Sequence, residues 1–196
     1  MRVSDTEEME DVSLALLQLP PMRGRRVAIM SWAGSTGVFT VDACQRYGLE
    51  LAELSLATLS KLCQLSPPSW LPMGNPIDIW ANIGLTGFNY KNFRADFKTI
   101  LEALLTEENA DAVIVIIPDF LELFPIEEWD ISSVIAEVTD AFKHRPIVFC
   151  IIGPQGQLTT KLERVGRIPI FPSCERAVRA LARLRRYTEW TETAQI

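Results

Sequence analysis

Five short apolar runs, separated by segments of helical periodicity, limit the fold of this chain more than any other feature. The runs are Arg26–Trp32, Leu49–Leu54, Ala112–Ile117, Pro146–Ile152 and Ile168–Phe171. Runs that are apolar throughout are typical of strands buried on both faces, as in a parallel sheet covered by helices. The chain is therefore predicted to form a parallel sheet.

The segments between the runs predict helices on both faces of that sheet. Their limits are about 37–46, 57–64, 90–106, 131–143, 155–165 and 174–187. Right-handed crossovers through these helices give a doubly wound, flavodoxin-like α/β sandwich of three layers, with a mainly parallel five-stranded sheet in the order 2-1-3-4-5. Ligands bind such sheets at the carboxyl ends of the strands.

The chain of 196 residues, of which 48% are hydrophobic, is large enough to bury one full core. Residues 1–22 are predicted to form a connector helix, and residues 23–190 the α/β domain. The connector helix spans about residues 5–18, with Asp5 or Thr6 as its N-cap and two prolines after its end. Its apolar residues recur at helical spacing: Met9, Val12, Leu16 and Leu19.

The charge balance argues against a nucleic-acid surface. The chain has 19 basic and 25 acidic residues, which give a net charge of −6. Arginines cluster on the C-terminal helix, and we interpret them as a solvated helix face: Arg176, Arg179, Arg183, Arg185 and Arg186.

The four cysteines lack the paired spacing of a zinc site or of a disulfide framework. They are Cys44, Cys63, Cys150 and Cys174, and we interpret them as reduced core thiols. No metal site is predicted. No apolar run reaches the roughly 18 residues needed to span a bilayer, and the acidic N-terminal segment is the opposite of a signal peptide. The expected compartment is the cytoplasm.

The turn Gly34-Ser-Thr-Gly37 follows the first strand and opens a helix. Free amides at a helix start and the helix dipole favour a phosphate or a carboxylate there. Its glycines permit positive φ and close backbone approach, and Ser35 or Thr36 can act as N-cap. A plain capped turn between strand and helix is the alternative. Neither a P-loop lysine nor a GxGxxG pattern is found, so nucleotide triphosphatase and dinucleotide sites are not supported.

A second candidate segment, Asn75-Pro-Ile-Asp78, lies in the long stretch 65–89, which also contains Trp70, Trp80 and Phe88. Long stretches of this kind inside a compact domain are often functional. The Asp78 carboxylate can accept from a neighbouring loop or orient a catalytic partner. An ordinary Asx-type turn explains the segment equally well.

Two further groups of polar residues are predicted to carry no chemistry. The only histidine, His144, enters the fourth strand at the amino end of the sheet and is expected at the surface. Catalytic triads that need a histidine are thus all but excluded. An acidic stretch after the third strand is interpreted as a solvated loop and helix start: Glu122, Glu127, Glu128 and Asp130.

Taken in order, the motifs of the chain resemble the second flavodoxin-like subdomain, the CoA-ligase domain, of NDP-forming acyl-CoA synthetases, which are relatives of succinyl-CoA synthetase. The resemblance covers about residues 7–187. The segments that carry it are Arg23–Ile29, Ala33–Gly37 with Asp42, Tyr47–Leu54, Pro67–Pro68, Asn75–Asp78, Ile168–Pro172 and Glu175–Leu181.

The resemblance implies half of a phosphoryl-transfer site. Such enzymes convert acid, CoA and NTP to acyl-CoA, NDP and phosphate through a phosphohistidine, which two helix N-termini hold. By this resemblance Gly34, Ser35, Thr36 and Gly37 contact the phosphoryl group, while Asn75 and Asp78 shape the adjoining wall. The family's turn is usually Gly-Gly-Pro-Gly, so Ser35 and Thr36 depart from it.

The resemblance also implies what the chain lacks. Its sequence contains neither the Ser-His-Thr-Gly motif of the phosphohistidine nor the CoA-binding and ATP-grasp domains. No catalytic residue is therefore assigned, and the isolated chain is predicted to be inactive. CoA and ATP or ADP with Mg²⁺ are expected in the complete enzyme, on the CoA-binding and histidine-bearing subdomain and on the ATP-grasp domain or subunit.

Three alternatives stay open at this point. One is a regulatory or scaffold module that has lost phosphoryl transfer, which the Ser35–Thr36 pair suggests. Another is the core of a fused protein acetyltransferase. The third is an independent flavodoxin-like protein that binds a small anion or a flavin.

Overall fold

The computed structural model describes residues 2–65, 74–80, 92–119, 127–153 and 155–194. The predicted Trp70 and Phe88 rings, Pro67–Pro68 and Glu122 lie outside these residues. Six strands form one parallel sheet: β1 (Arg26–Ser31), β2 (Glu50–Leu51), β3 (Ile77–Asp78), β4 (Ala112–Pro118), β5 (Ile147–Ile152) and β6 (Ile170–Phe171).

The strand order is β2-β1-β4-β5-β6, with β3 also paired to β1. Each of the five predicted runs contributes a strand, and these strands lie in the predicted order, so the doubly wound, flavodoxin-like fold is confirmed. The difference is β3, which makes six strands where five were predicted. It shares one edge of β1 with β2: Arg26 and Val27 pair with β2, whereas Met30 and Ser31 pair with β3.

Seven α-helices cover the sheet within the described residues. They are α1 (Thr6–Gln18), α2 (Gly34–Tyr47), α3 (Leu56–Cys63), α4 (Phe93–Leu105), α5 (Ser132–Ala141), α6 (Gln157–Val165) and α7 (Cys174–Thr193). One face of the sheet packs against α1, α2 and α7, and the other against α3, α4, α5 and α6. The chain leaves α2 through Gly48, whose φ of 76° is in the left-handed region that glycine adopts without strain.

Strand β4 shows why the apolar runs predicted the sheet. Its residues Ala112–Ile117 are all fully buried. Val113, Val115 and Ile117 face one helical layer, and the alternate residues face the other. Successive side chains of a strand point to opposite faces, so a strand between two helical layers has no position for a polar residue.

The pairing of α1 with α7 corrects two predictions. The cluster of arginines is not a solvated face, because Arg176, Arg179 and Arg183 bond to acidic residues of α1. Their side chains are only 15–23% exposed. The carboxylates of Glu8 and Asp11 are buried against them, at 1% and 3% exposure.

The buried face of α1 therefore differs from the apolar stripe that the spacing predicted. It comprises Glu8, Asp11, Val12 and Ala15, whereas Met9 is 51% exposed. The N-cap is Asp5, whose carboxylate accepts from the Glu8 amide at 2.7 Å. The division into residues 1–22 and 23–190 stays a prediction, although Ala15 and Met22 belong to the same core as α2 and α7.

The remaining surface and core predictions have mixed outcomes. His144 is exposed, as predicted. Cys44 and Cys150 are buried, but Cys63 is exposed, so the prediction of a core thiol is wrong for that residue. Asp130 does not belong to a freely solvated stretch, because it pairs with Lys161. No helix in the described part of the chain is long and apolar enough to cross a membrane.

Candidate functional site

The candidate site is the corner where β1 passes into α2. The first helical residue is Gly34, so the turn Gly34–Gly37 is the first turn of the helix itself. The N-cap is Ala33, which offers no side-chain acceptor, and the prediction that Ser35 or Thr36 caps the helix is wrong. In an α-helix the amides of Gly34, Ser35 and Thr36 have no acceptor within the helix. They are therefore donors for a ligand.

The hydroxyl groups near this corner point toward the backbone of the turn. Ser31 Oγ and Thr36 Oγ1 lie 2.6 Å apart, and each lies 2.8 Å from the carbonyl oxygen of Ala33. The Thr36 side chain thus ties the helix start to β1. Ser35 is exposed.

Glycine is required in this turn for close approach and not for positive φ, which neither Gly34 nor Gly37 adopts. A Cβ on Gly34 would lie 3.0 Å from Asp78 Oδ2, and a Cβ on Gly37 would lie 3.3 Å from Pro76. The structure thereby brings the two predicted segments, 34–37 and 75–78, together at the carboxyl edge of β1.

A cleft of about 180 Å³ lies between the two segments, and Ser31, Val38 and Val41 also line it. Ligand pockets for complete small molecules usually exceed roughly 300 Å³. The cleft is therefore of a size for a phosphoryl-like group rather than for a flavin. No acidic residue occurs in the first turn of α2 to oppose an anion at its amides.

Asn75 fills the gap between β2 and β3 along the edge of β1. Its Oδ1 accepts from the Ile29 amide at 2.9 Å, and its Nδ2 donates to the carbonyls of Val27 and Ala52 at 2.8 and 3.0 Å. One side chain thus replaces a missing strand residue. The consequence for the site is that the chain enters β3 in a register that places Asp78 beside Gly34.

The other helix starts at this edge of the sheet are mostly closed by polar side chains. Ser55 caps α3, Ser173 caps α7, and Asp130 accepts from the Ser132 amide at the start of α5. Among the described helices α4 also lacks a side-chain cap, but its first turn contains Asp96. In the part of the chain that the structure describes, α2 is thus a start with neither a side-chain cap nor an acidic residue in its own first turn, and Asp78 of β3 is the carboxylate beside it.

The start of α6 shows what such a helix terminus binds. The carboxylate of Asp119, 3% exposed, accepts from the amides of Gly156, Leu158 and Thr159 at 3.0–3.1 Å and from the Thr159 hydroxyl at 3.0 Å. Sequence reasoning missed Asp119. The position of Asp119 directly after a fully buried run could have indicated its role, because a buried carboxylate must accept hydrogen bonds from nearby donors.

An aromatic cluster supports the corner from the opposite side and was also missed. Trp32 is in edge contact with Trp80, Trp129 and Phe93, with ring centroids 5.3–6.0 Å apart. The amide of Trp80 donates to the carbonyl of Trp32 at 3.1 Å, which continues the pairing of β3 with β1. The cluster joins residues distant in the sequence, so no local pattern could predict it.

Fold and site together define a flavodoxin-like α/β domain with an open helix start at the carboxyl edge of its sheet.

No protein-family model matches the chain. It is 30% identical over 197 residues to the acetate–CoA ligase (ADP-forming) II of Archaeoglobus fulgidus, covering 96% of this chain and 27% of that enzyme. It is 24% identical over 195 residues to the 4-hydroxybutyrate–CoA ligase (ADP-forming) of Nitrosopumilus maritimus, covering 99% and 26%.

A solved structure agrees in fold. The dinucleotide-forming acetyl-coenzyme A synthetase 1 of Ca. Korarchaeum cryptofilum, in complex with phosphate and ADP, matches with a TM-score of 0.75 at 19% identity, covering 99% of this chain and 40% of that one. The chain belongs to the NDP-forming acyl-CoA synthetase family, as its motifs predicted. It spans about a quarter of the length of the curated relatives that it matches first, between 24% and 27%.

Proposed function

We propose that this chain is the phosphohistidine-docking subdomain of an NDP-forming acyl-CoA synthetase, which converts acid, CoA and NTP to acyl-CoA, NDP and phosphate. The observation that carries the proposal is the open start of α2, which has neither a side-chain cap nor an acidic residue in its first turn and whose Gly34 and Gly37 line the adjoining cleft. The chain binds and orients the phosphoryl group, and another part of the complete enzyme supplies the histidine.

The amides of Gly34, Ser35 and Thr36 hold the phosphoryl oxygens. The Gly37 amide does not take part, because it donates to the Ala33 carbonyl at 3.1 Å. The helix fixes the dipoles of these amides before the ligand arrives, so the amides need little reorganisation when the charge of the phosphoryl group enters the cleft.

Asp78 favours a phosphohistidine over a bare phosphate. Its carboxylate lines the same cleft as Gly34 and Gly37. The amides of α2 would attract an inorganic phosphate, whereas the Asp78 carboxylate would repel it. A phosphohistidine presents its phosphoryl group to the amides and can donate from its other ring nitrogen to a carboxylate.

The remaining components are assigned to other parts of the complete enzyme. The CoA-binding and histidine-bearing subdomain and the ATP-grasp domain or subunit carry CoA and ATP or ADP with Mg²⁺, and we place the assembly in the cytoplasm. The described residues of this chain contain no cluster of side chains that could hold a metal ion.

A charge placed in the first turn of α2 tests the anion site. Ser35→Glu puts a carboxylate where the phosphoryl group would bind, and acidic residues there stabilise helices, so folding is preserved. Ser35→Gln is the matched neutral control.

The measurement is a titration of each protein with phosphohistidine, followed by NMR. We expect the amide resonances of Gly34, Ser35 and Thr36 to shift in the wild type, and we expect Ser35→Gln to bind with similar affinity. We expect Ser35→Glu to bind at least about ten-fold more weakly, the equivalent of about 1.4 kcal/mol. Equal affinity of all three proteins would refute the assignment.

A scaffold or regulatory module is the second candidate. The observation that favours it is the inward orientation of the Ser31 and Thr36 hydroxyls, which contact Ala33 and so are turned to the backbone rather than to a ligand. A scaffold would keep the fold without needing the amides of α2. The two candidates therefore differ in whether Ser35→Glu affects the reaction of the complete enzyme.

A further inference from the structure

Two cysteines distant in sequence meet on the α7 side of the sheet. Cys150 lies within β5 and is fully buried, and Cys174 is the first residue of α7 and partly exposed. Their sulfur atoms are 3.8 Å apart. The approach follows from the fold, because Cys150 pairs in register with Phe171 of β6 and the chain reaches Cys174 three residues later.

The two thiols differ in acidity. The pKa of the Cys174 thiol is lowered, above all by the hydrogen bond from the Cys150 thiol; burial acts against this, and the Thr40 side chain and the Cys174 amide add to it. The pKa of Cys150 is raised by the same contact and by burial. The pair therefore loses its first proton at Cys174, at the positive end of a helix dipole, where thiolates are stabilised.

The other two cysteines provide internal contrasts. Cys44 is buried, and burial raises the pKa of its thiol to about 12. Cys63 is exposed at the end of α3. Partial exposure and acidity thus coincide at Cys174, and a second thiol lies in contact with it.

We propose that Cys150 and Cys174 form a redox-active dithiol, in which a peroxide oxidises Cys174 and Cys150 then closes an intramolecular disulfide. The Cys174 thiolate attacks one oxygen of hydrogen peroxide, the O–O bond breaks, and sulfenic acid and hydroxide result. The Cys150 sulfur then attacks the Cys174 sulfur, the S–O bond breaks, and the leaving hydroxide takes the Cys150 proton as water. Two electrons pass from the sulfurs to the peroxide.

The geometry requires only a small movement. A disulfide bond is about 2.05 Å long, so the sulfur atoms must approach each other by less than about 2 Å. Cys174 is the first residue of α7, and Cys150 lies in β5. The bond would link β5 covalently to the start of α7.

Peptide mapping of the oxidised chain tests the proposal directly. Trypsin cuts after Lys161, Arg164 and Arg167, so the two cysteines fall on separate peptides. After treatment with a small molar excess of hydrogen peroxide, we expect the wild-type chain to lose two hydrogens in mass and to yield linked Cys150 and Cys174 peptides. Dithiothreitol should reverse both changes.

Three variants sharpen the test. Cys63→Ser, which removes the exposed cysteine, should form the disulfide like the wild type. Cys174→Ser should not form it. Cys150→Ala avoids a buried hydroxyl but removes the hydrogen bond that most lowers the Cys174 pKa, so Cys174 should oxidise more slowly than in the wild type and stay a sulfenic acid that dimedone traps. The proposal fails if wild-type Cys174 stays a thiol under conditions that oxidise Cys63, or if the bond that forms includes Cys63.

Discussion

Asn75 satisfies three backbone groups with a single side chain, two in β1 and one in Ala52 directly after β2, which makes it the residue on which the geometry of the candidate site most depends. The sequence singled it out as the start of Asn75–Asp78 and left open a turn or a part in the site. The structure shows a third role, the replacement of a strand residue between β2 and β3. A sequence pattern could not reveal this, because the partners Val27, Ile29 and Ala52 are distant along the chain.

Substitution of Asn75 is expected to lower stability. Asn75→Ala leaves the Ile29 amide and the Ala52 carbonyl without a partner, and Asn75→Asp places a carboxylate against two carbonyl oxygens. Each should reduce the free energy of unfolding by about 2 kcal/mol, measured in urea. Asn109→Ala, which removes one exposed bond to the Glu53 carbonyl at 3.1 Å, is the control and should cost less than about 0.5 kcal/mol. Wild-type stability of both Asn75 variants would contradict the structural role.

Ser35 and Thr36 show the limit of prediction at the residue scale. The anion at their segment stays a prediction, but the N-cap that the sequence assigned to their hydroxyls is wrong, because a helix start cannot be located to one residue from a Gly-Ser-Thr-Gly pattern. Once the helix begins at Gly34, Thr36 is in its first turn and bonds backward to Ala33.

At the scale of elements, Glu107 joins the end of α4 to the start of α3. Its carboxylate, 2% exposed, accepts from the amides of Ser55 and Asn109 at 2.8 and 3.0 Å. Burial alone would raise the pKa of Glu107, but the hydrogen bonds from Asn109 and Ser55 outweigh burial and lower this pKa from the ordinary 4.5 to about 2.

This pKa predicts a dependence of stability on pH. Because the folded pKa lies below the unfolded one, the ionised carboxylate stabilises the fold fully above about pH 4.5, and this contribution is lost as the pH falls toward 2. At about 1.4 kcal/mol per pKa unit, it amounts to about 3 kcal/mol. We expect the difference in unfolding free energy between wild type and Glu107→Gln to be largest at pH 7 and to shrink between pH 4.5 and 2.

Glu102→Gln on the preceding helix is the matched control for that measurement. Glu102 is 3.8 Å from Lys98, and both side chains are partly exposed, so its substitution should change stability by less than about 0.5 kcal/mol at every pH. If the difference in unfolding free energy between wild type and Glu107→Gln is the same at pH 7 and at pH 2, the lowered pKa of Glu107 does not contribute to stability.

Periodicity predicted the elements better than it predicted their contacts. The six predicted helical segments and the N-terminal helix all formed, with ends that moved by up to six residues within the described part of the chain. The face of α1 that packs was mispredicted, since Glu8 and Asp11 are buried only because arginines of α7 meet them. Helical spacing reports where apolar residues lie on one helix, and it contains no information about the charges on a neighbour.

At the scale of the whole molecule, the proposed function predicts that activity returns only on assembly. Mixing this chain with the histidine-bearing and ATP-grasp parts from the same organism should restore acyl-CoA synthesis, which a CoA-ester assay detects. Ser35→Glu should abolish that synthesis and Ser35→Gln should preserve it, because only the former adds charge at the phosphoryl site.

The scaffold candidate predicts a different pattern in the same assay. If Ser35→Glu and Ser35→Gln support synthesis equally, the amides of α2 do not hold the phosphohistidine, and the docking proposal is wrong. The Cys150–Cys174 test uses mass and peptide identity alone, so its outcome is independent of this assay.

The sequence by itself determined the order of strands, the helices between them and the family, because those depend on local periodicity and on motifs that keep their order along the chain. Only the tertiary structure decided which groups meet: Asn75 with β1, Asp78 with Gly34, Asp119 with the start of α6, and Cys150 with Cys174. The physical reason is that these contacts join positions from 24 to 48 residues apart. Their geometry is set when two strands or helices pack, and no single segment specifies it.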